Sequence, residues 1–481
     1  MATVNGLRRT LDAALWELKM PSPVASAAAT FIIGGEFHAD YEPVAPAHIP
    51  ELMITSAAVH YIYDHEYDAW QQIPASGIAG TFGAGSCGTF HGSGPAGTAT
   101  AGSATTMTTT LTINRRLDGY RVRITGGTGA GQTAIIKHNT LGANSVITFT
   151  TTLGVALDNT SVYLLLTGRF WFWNAGTGSA FGLRYFDYAT MTWSAALDEN
   201  LAATATWGTD GKLVGTSSLV GGVHATGTAT AGAGSTLTDS GKTWGTNQWA
   251  NSQVRIVSGT GAGQVRTIAS NTGTVLTVSS AWTTNPDATS VYAIEGNDDY
   301  LYLIGNNAVA MYRYSISGNA WTTLSPGVAR GAAAGLAATL NWISGITDEV
   351  WTDESAYLNG RYLYSFRGGA GGVLDAYDLA ANSWAAVTYA PAPGETFTTG
   401  SCGAYDGAGT LYLMKEATGR VFAFDIVRNR LFPYSTMLLT QGAAILGDRM
   451  WVDDYRDGAT TIRWVYYLVN TGTALVRSLV I

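Results

Sequence analysis

Charge is what this sequence has least of. Charged residues make up 12% of the 481, about half the usual share of roughly 25%. Lys and Arg number 26 against 34 Asp and Glu, a net charge of −8. With no basic block there is no cation patch to release counterions from phosphates, so specific nucleic-acid binding is not expected. Cysteine is nearly missing, and two residues define neither a disulfide framework nor a metal cluster. Proline, at 12, is too scarce for a collagen-like or Pro-rich disordered chain. No apolar run approaches the roughly 18 residues of a membrane span. After Arg8 and Arg9, the stretch Thr10–Lys19 alternates polar and apolar residues, unlike a secretory leader. The expectation is a soluble chain made inside a cell, with no membrane partner.

What is present points to a large packed interior. Hydrophobic residues reach 46%, with 15 Trp and 24 Tyr, and Gly is abundant at 59. That much apolar surface excludes general disorder, and the length predicts about three domains' worth of chain.

Repetition organises it. Two aromatic or apolar residues, a small polar residue, five variable residues and a Trp recur at Tyr63-Asp64 with Trp70, Phe186-Asp187 with Trp193, Tyr314-Ser315 with Trp321, and Tyr377-Asp378 with Trp384. Phe424-Asp425 carries Leu431 in the Trp slot, and Tyr466-Tyr467-Leu468 with Ala474 keeps only the spacing. The pattern reads as a β-hairpin. A strand ends at the Asp, which caps the turn, and the Trp opens the next strand and buries its ring between sheets. Glycine-rich strands precede the hairpins, as at Arg361–Phe366 and Thr410–Met414. Successive polar markers lie 123, 128, 63, 47 and 43 residues apart. The last three suit a four-stranded unit of about 45 to 60 residues.

The two long gaps share a cause. Residues 97–168 and 227–296 both open with Gly-Thr-Ala-Thr-Ala-Gly, pass through a Val-Arg-Ile strand into Gly-Thr-Gly-Ala-Gly-Gln (127–132 and 259–264), and close on Thr-Ser-Val-Tyr. Two homologous β-modules thus interrupt adjacent units, with His91-Gly92 and His224-Ala225 at matching places before them. Loop tips tolerate such insertions. Residues 1–30 stand apart, and Leu7, Leu11, Ala14, Leu15 and Leu18 have helical spacing that ends at Pro21.

The Tyr-Asp-x5-Trp hairpins resemble the Kelch-type β-propeller over about 300 residues outside the modules, although the double glycine of Kelch repeats is clear only at Gly368-Gly369 and Gly371-Gly372. The modules look like small β-modules of bacteriophage virion and tail proteins, and the whole is similar in plan to the tail-nozzle proteins of short-tailed phages. The resemblance implies an all-β fold: a six-bladed Kelch-like propeller with two small β-domains inserted in adjacent blades and a short N-terminal helix. Propeller segments are expected at 31–96, 169–226 and 297–481. Asp64, Trp70, Asp187, Trp193, Trp321, Asp378, Trp384 and Asp425 would be blade markers.

Candidates for chemistry each have a plainer reading. Asp239–Trp244 resembles the Asp-box of sialidase propellers, with Leu237 in place of its leading Ser, and that box is a structural turn. Gly241-Lys242-Thr243 imitates the end of a phosphate loop, but Thr236 stands where the loop needs Gly. The Gly259–Gln264 run could cradle an anion in a backbone nest, yet a tight turn explains it in both modules. His38, His48, His60, His65, His91, His138 and His224 show no zinc spacing. Asp453, Asp454 and Asp457 before Gly458 could feed a Ca²⁺ site but suit a polar turn, as do Asp298 and Asp299. Cys87 and Cys402 share Gly-Ser-Cys-Gly at the same blade position, near a central channel, and the copper-radical oxidases built on Kelch propellers need two His that do not accompany them. Trp171, Trp173, Trp244, Trp249 and Trp282 could stack on sugars, although Trp at strand starts is more often core.

The reading is a non-enzymatic structural protein with no cofactor and no metal. A virion location is expected, in a homo-oligomeric ring, hexamer favoured, contacting neighbouring tail proteins. Contact loops are expected at Gly127, Gln132, Gly259, Gln264 and Trp249. Low charge suits broad permanent contacts, and a negative wall would let genomic DNA pass. The alternative is a receptor- or carbohydrate-binding virion protein, or a capsid decoration protein.

Overall fold

The computed structural model describes residues 17–19, 23, 31–33, 52–56, 59–64, 68–74, 86–175, 181–195, 197, 212–215, 223–250, 252–295, 299–304, 311–327, 341–342, 362–366, 374–378, 382–387, 402–405, 410–415, 418–426, 428–436, 450–457, 460–468 and 475–480. These residues are all-β, and none is helical. They form six four-stranded antiparallel sheets and two seven-stranded ones.

The first sheet runs Phe31–Ile33, Leu52–Ser56, Val59–Asp64, Ala69–Ile73. The second contains Cys87–His91, then Arg169–Ala175, Phe181–Asp187 and Thr192–Trp193; the third contains Lys212–Gly215, then Tyr300–Ile304, Met311–Ser315 and Ala320–Leu324. The fourth is Asn341–Trp342, Tyr362–Phe366, Leu374–Asp378, Ser383–Val387, and the fifth Cys402–Tyr405, Thr410–Met414, Arg420–Asp425, Arg430–Thr436. The sixth is Met450–Asp457, Thr460–Leu468 and Leu475–Val480, with Glu17–Leu18 as its outer strand. The first strand of each sheet adjoins the first strand of the next, and Met450–Asp457 returns to Phe31–Ile33. Meander sheets side by side around a common ring of inner strands are a β-propeller arrangement.

The repeated hairpin is the join between third and fourth strands. Its register places the aromatic opposite the Trp: Tyr63 faces Trp70, Phe186 faces Trp193, Tyr314 faces Trp321, Tyr377 faces Trp384, and Phe424 faces Leu431. The rings of the Tyr–Trp and Phe–Trp pairs lie 4.9–5.3 Å apart. Asp187 caps its turn, Oδ1 accepting from the amides of Ala189 and Thr190, and Asp425 accepts from the amide of Arg428. Where the marker is Ser315, Asp299, just before the neighbouring strand, takes over and accepts from the Ser317 amide at 2.8 Å.

One of the five variable positions is not variable in conformation. Asp68, Met191, Asn319, Asn382 and Asn429, each four residues after the marker, have φ between 45° and 58°. Three of the five are Asn, which tolerates that left-handed region better than most residues. Where the aromatic is Tyr, its hydroxyl donates to this residue's side chain: Tyr63 to Asp68 at 2.6 Å, Tyr314 to Asn319 at 2.7 Å, Tyr377 to Asn382 at 2.5 Å. Three of the hairpins also dock on the preceding sheet. Trp193 Nε1 donates to Pro74 O, Asn382 Nδ2 to Ser325 O, and the Trp321 ring meets Trp173 edge-on at 5.5 Å. Trp384 is fully buried, whereas Trp70, Trp193 and Trp321 are half-buried.

Three expectations change. The weak marker at Tyr466-Tyr467-Leu468 ends the second strand of its sheet, not the third, and Leu468 pairs with Leu475. That sheet has no local fourth strand to need a marker hairpin, because Glu17 and Leu18 pair with Arg477 and Val476. Those two residues are therefore strand, not the end of a helix, and they belong to the last sheet; residues 5–16 of the expected helix lie outside the described residues. His91 and His224 are not at matching places: His91 ends the first strand of the second sheet, while His224 lies within Val223–Thr228, the first strand of a seven-stranded unit.

The chain leaves the second sheet after His91, builds one seven-stranded unit and rejoins at Arg169. It leaves the third after Gly215, builds the other and rejoins at Tyr300. The unit from Ala96–Thr98 to Val162–Leu166 and the unit from Val223–Thr228 to Val291–Glu295 share one strand order. In the first, Ala96–Thr98 pairs with the last strand and Ala101–Gly102, separated from it by only two residues, lies at the opposite edge. The sheet therefore curls back on itself around a core that includes Met107, Val122, Ile136, Ile147 and Tyr163.

Candidate functional site

The shared turns of the two units meet each other. Each follows the Arg-bearing strand, Arg121–Gly126 or Gln253–Ser258. Gly127, Gly129 and Gly131 all have φ between 67° and 90°, as do Gly259, Gly261 and Gly263. A side chain at Gly127 or Gly259 would also collide with the carbonyl of Thr160 or Thr289, so glycine is required there twice over.

The turn's own groups are internally satisfied. Gln132 Nε2 donates to the carbonyls of Gly129 and Val155, and its Oε1 accepts from the Val155 amide. Gln264 does the same with Gly261, Thr283 and Thr284. The amides of Ala130, Gly131 and Gln132 bond to Gly127, Ile124 and Gly129, and that of Thr128 to the Thr160 hydroxyl. No row of amides is left for an anion, so the turn is the reading that stands.

Between the turns the units interlock. A Cβ on Gly131 would strike the Val257 carbonyl of the other unit, and one on Gly263 would stand 2.9 Å from the Ala130 Cβ. At this face a buried ionic triad closes. Glu295 accepts from Arg255 through Nη2 at 2.6 Å and Nε at 3.1 Å, and pairs with Arg123 Nη2 at 3.0 Å. Arg123, Arg255 and Glu295 are only 3%, 5% and 2% exposed. Arg255 Nη1 also donates to the Gly131 carbonyl across the face at 2.9 Å. Such a cluster contributes little net stability against an apolar one, but removal of one partner strands buried charge. Arg123 and Arg255 were legible as the Arg of the shared Val-Arg-Ile strand. Glu295 was not, because its counterpart in the first unit is Leu166.

Each unit is also tied internally by a buried Asn that belongs to no motif. Asn139 Oδ1 accepts from the Leu117 amide, and Asn271 Oδ1 from the Trp249 amide, both at 2.7 Å. The sequence signal was the Asn-Thr shared by 139–140 and 271–272. Asp158 and Asp287 cap equivalent turns, and the hydroxyls of Thr160 and Thr289 hold both carboxyls below the usual range.

Gly127, Gln132, Gly259 and Gln264 belong to the two shared turns and bond or pack within their own units, while Gly131, Gly263 and Ala130 of the same turns make the contacts between units. Trp249 does not line a contact loop: it is 4% exposed in the core of the second unit with Ile268, Leu276 and Trp282. Trp171 and Trp173 are buried in the second sheet's core, and Trp282 is buried beneath the Arg266 guanidinium. A sugar could not stack on any of these rings without the core opening. Asp239 is a turn residue, Oδ1 accepting from the Gly241 amide and Oδ2 from the buried Tyr292 hydroxyl, whose proton burial and Asp239 both retain. At the equivalent place in the first unit the hydroxyls of Thr109 and Tyr163 bond to each other. Cys87 and Cys402 are buried, unbridged, and each opens the first strand of its sheet. Among the described residues no three His, Cys, Asp or Glu gather as a metal site. Asp457 faces Thr460 across the tip of a strand hairpin, while the side chains of Asp64, Asp453, Asp454 and Asp457 lie outside the described residues.

No known protein family matches the chain, and no curated protein matches it. Among solved structures it is similar to a streptogramin B lyase, at 8% identity over 98% of this chain and 99% of that one, with a TM-score of 0.37. A chain of a mitotic checkpoint complex aligns at 5% identity over 96% and 93%, with a TM-score of 0.32, and U3-55K at 13% over 37% and 48%, with a TM-score of 0.21.

Proposed function

We propose that the six four-stranded sheets are the blades of one closed disc, that the two seven-stranded units are domains inserted in its second and third blades, and that the chain is a rigid structural subunit of a bacteriophage virion. In this reading it forms a homo-oligomeric ring of the tail-nozzle type, six copies favoured, contacting neighbouring tail proteins and leaving a passage for DNA. It performs no catalysis and needs no cofactor.

The observation that carries the reading is the double anchoring of the units. Each is joined at both ends to its own sheet, and the two are locked to each other by the turns and by Glu295 between Arg123 and Arg255. A body tied together in this way resists bending between adjacent sheets, as a ring subunit under tension must. The virion assignment rests on the resemblance of the two modules to phage virion modules. The net charge of −8 suits a wall along which phosphates slide.

Mass photometry and electron microscopy of the purified chain test the ring, and immunolabelling of intact particles tests its place. Closed rings and label at the tail tip are the expected results. A monomer that persists at high concentration and in the presence of the adjoining tail protein overturns the ring.

A further inference from the structure

The face between the two units is homotypic in shape and unequal in charge. Both sides present the same turn on the same strand pair, and the contacts run both ways: Gly131 against Val257, Gly263 against Ala130 and Thr125. Identical surfaces meeting reciprocally are what a two-fold interface between separate copies requires.

The charges break that symmetry. The first unit brings Arg123 and, at the end of its last strand, Leu166 opposite Arg121; the second brings Arg255 and, at the equivalent place, Glu295 opposite Gln253. The pair as it stands holds two guanidiniums and one carboxylate, and Arg123 Nε is buried without a hydrogen-bond partner. Two second units face to face would hold two of each. Two first units would hold two guanidiniums and no acid, which is strongly disfavoured in a buried place.

We propose that the face of the second unit carrying Arg255, Glu295 and the turn 259–264 is a self-complementary surface, capped within the chain by the first unit, whose partner when uncapped is the same face on a second copy of this chain. The intramolecular cap wins in the resting chain because the first unit is held beside the second at a high effective concentration. The inference rests on the contacts at this face and not on the ring reading.

The test is made on the full chain with Arg123→Glu, which sets a second carboxylate against Glu295 and drives the first unit away while leaving the second unit unchanged. The expected result is a particle mass at least twice that of the wild type at equal concentration, with faster hydrogen exchange at 129–132. Adding Arg255→Glu should return the mass to the wild-type value. If Arg123→Glu fails to fold, Ala130→Arg places bulk at the same face from outside the first unit's core and takes its role.

Faster exchange at 129–132 with no gain in mass would overturn the inference, because the face would then be open and not self-complementary. Doubling that survives Arg255→Glu, or exchange at 129–132 unchanged from wild type, would also overturn it. The ring reading is judged separately, on the wild-type mass, so the two can fail independently.

Discussion

His60 offers a direct test of how the first and second sheets are held together. It lies on Val59–Asp64 with no exposed surface, its ring 4.6 Å from Trp193 and 5.7 Å from Phe172, both on the second sheet. Burial there lowers its pKa from 6.5 to about 4, since a charged imidazole would lose its water. The unfolded chain takes up this proton below about pH 6.5, and the folded chain only near pH 4. Stability is therefore fully present above 6.5, falls as the pH drops between these values, and levels off below 4. At about 1.4 kcal/mol for each decade of proton affinity the loss is about 3 kcal/mol. Urea unfolding of wild type and His60→Phe, followed by Trp fluorescence at pH values from about 7 to about 4, isolates this contribution. The difference in unfolding free energy between the two should shift by about 3 kcal/mol across that window, in favour of the variant at low pH. Two curves that decline in parallel would show that the imidazole titrates in the folded chain as it does in water, and the account of this interface would be wrong. Asp158 and Asp287, whose carboxyls are held low, release their turn bonds only under more acidic conditions and do so in both proteins.

Other outcomes follow from the same geometry. Glu295→Ala strands two buried guanidiniums and should cost about 3–5 kcal/mol, read by calorimetry as a lower transition for the paired units. Asn382→Ala loses the bonds from Tyr377 and to Ser325 and places alanine at a φ of 48°; a loss of about 2–3 kcal/mol is expected in thermal unfolding, with Asn382→Gly recovering the conformational part. Trp249→Ala empties part of the second unit's core and should destabilise it by about 3–5 kcal/mol. On a glycan array it should leave no selective change, because the ring does not face solvent.

The legible part of the fold was the part written in short-range repetition. Tyr63 with Trp70 and Tyr377 with Trp384 could be matched because a hairpin brings together residues only seven apart. The duplicated modules were visible for a similar reason: the same Gly-Thr-Gly-Ala-Gly-Gln turn must satisfy the same steric demand twice. The Asn or Asp at the left-handed position was open to detection in 319, 382 and 68, but Met191 in the same slot hid the rule. There Phe186 has no hydroxyl to donate, and a side chain that accepts no strong hydrogen bond is tolerated.

What local pattern could not decide was long-range pairing. Glu17 and Leu18 look helical among their neighbours and become strand because the last sheet offers Arg477 and Val476 as partners at its open edge. Trp249 looks like a ring on a surface loop until Asn271 pins its backbone and the strands of the second unit close over it. The sequence alone specified the hairpins, their turns and the kinship of the two modules, since each depends on residues close in the chain. Only the tertiary structure decided that the two kindred turns face each other, and that one carboxylate, Glu295, serves arginines 172 and 40 positions away. The free energy of a buried charge depends on which groups surround it in space, and that is not encoded in any single stretch of the chain.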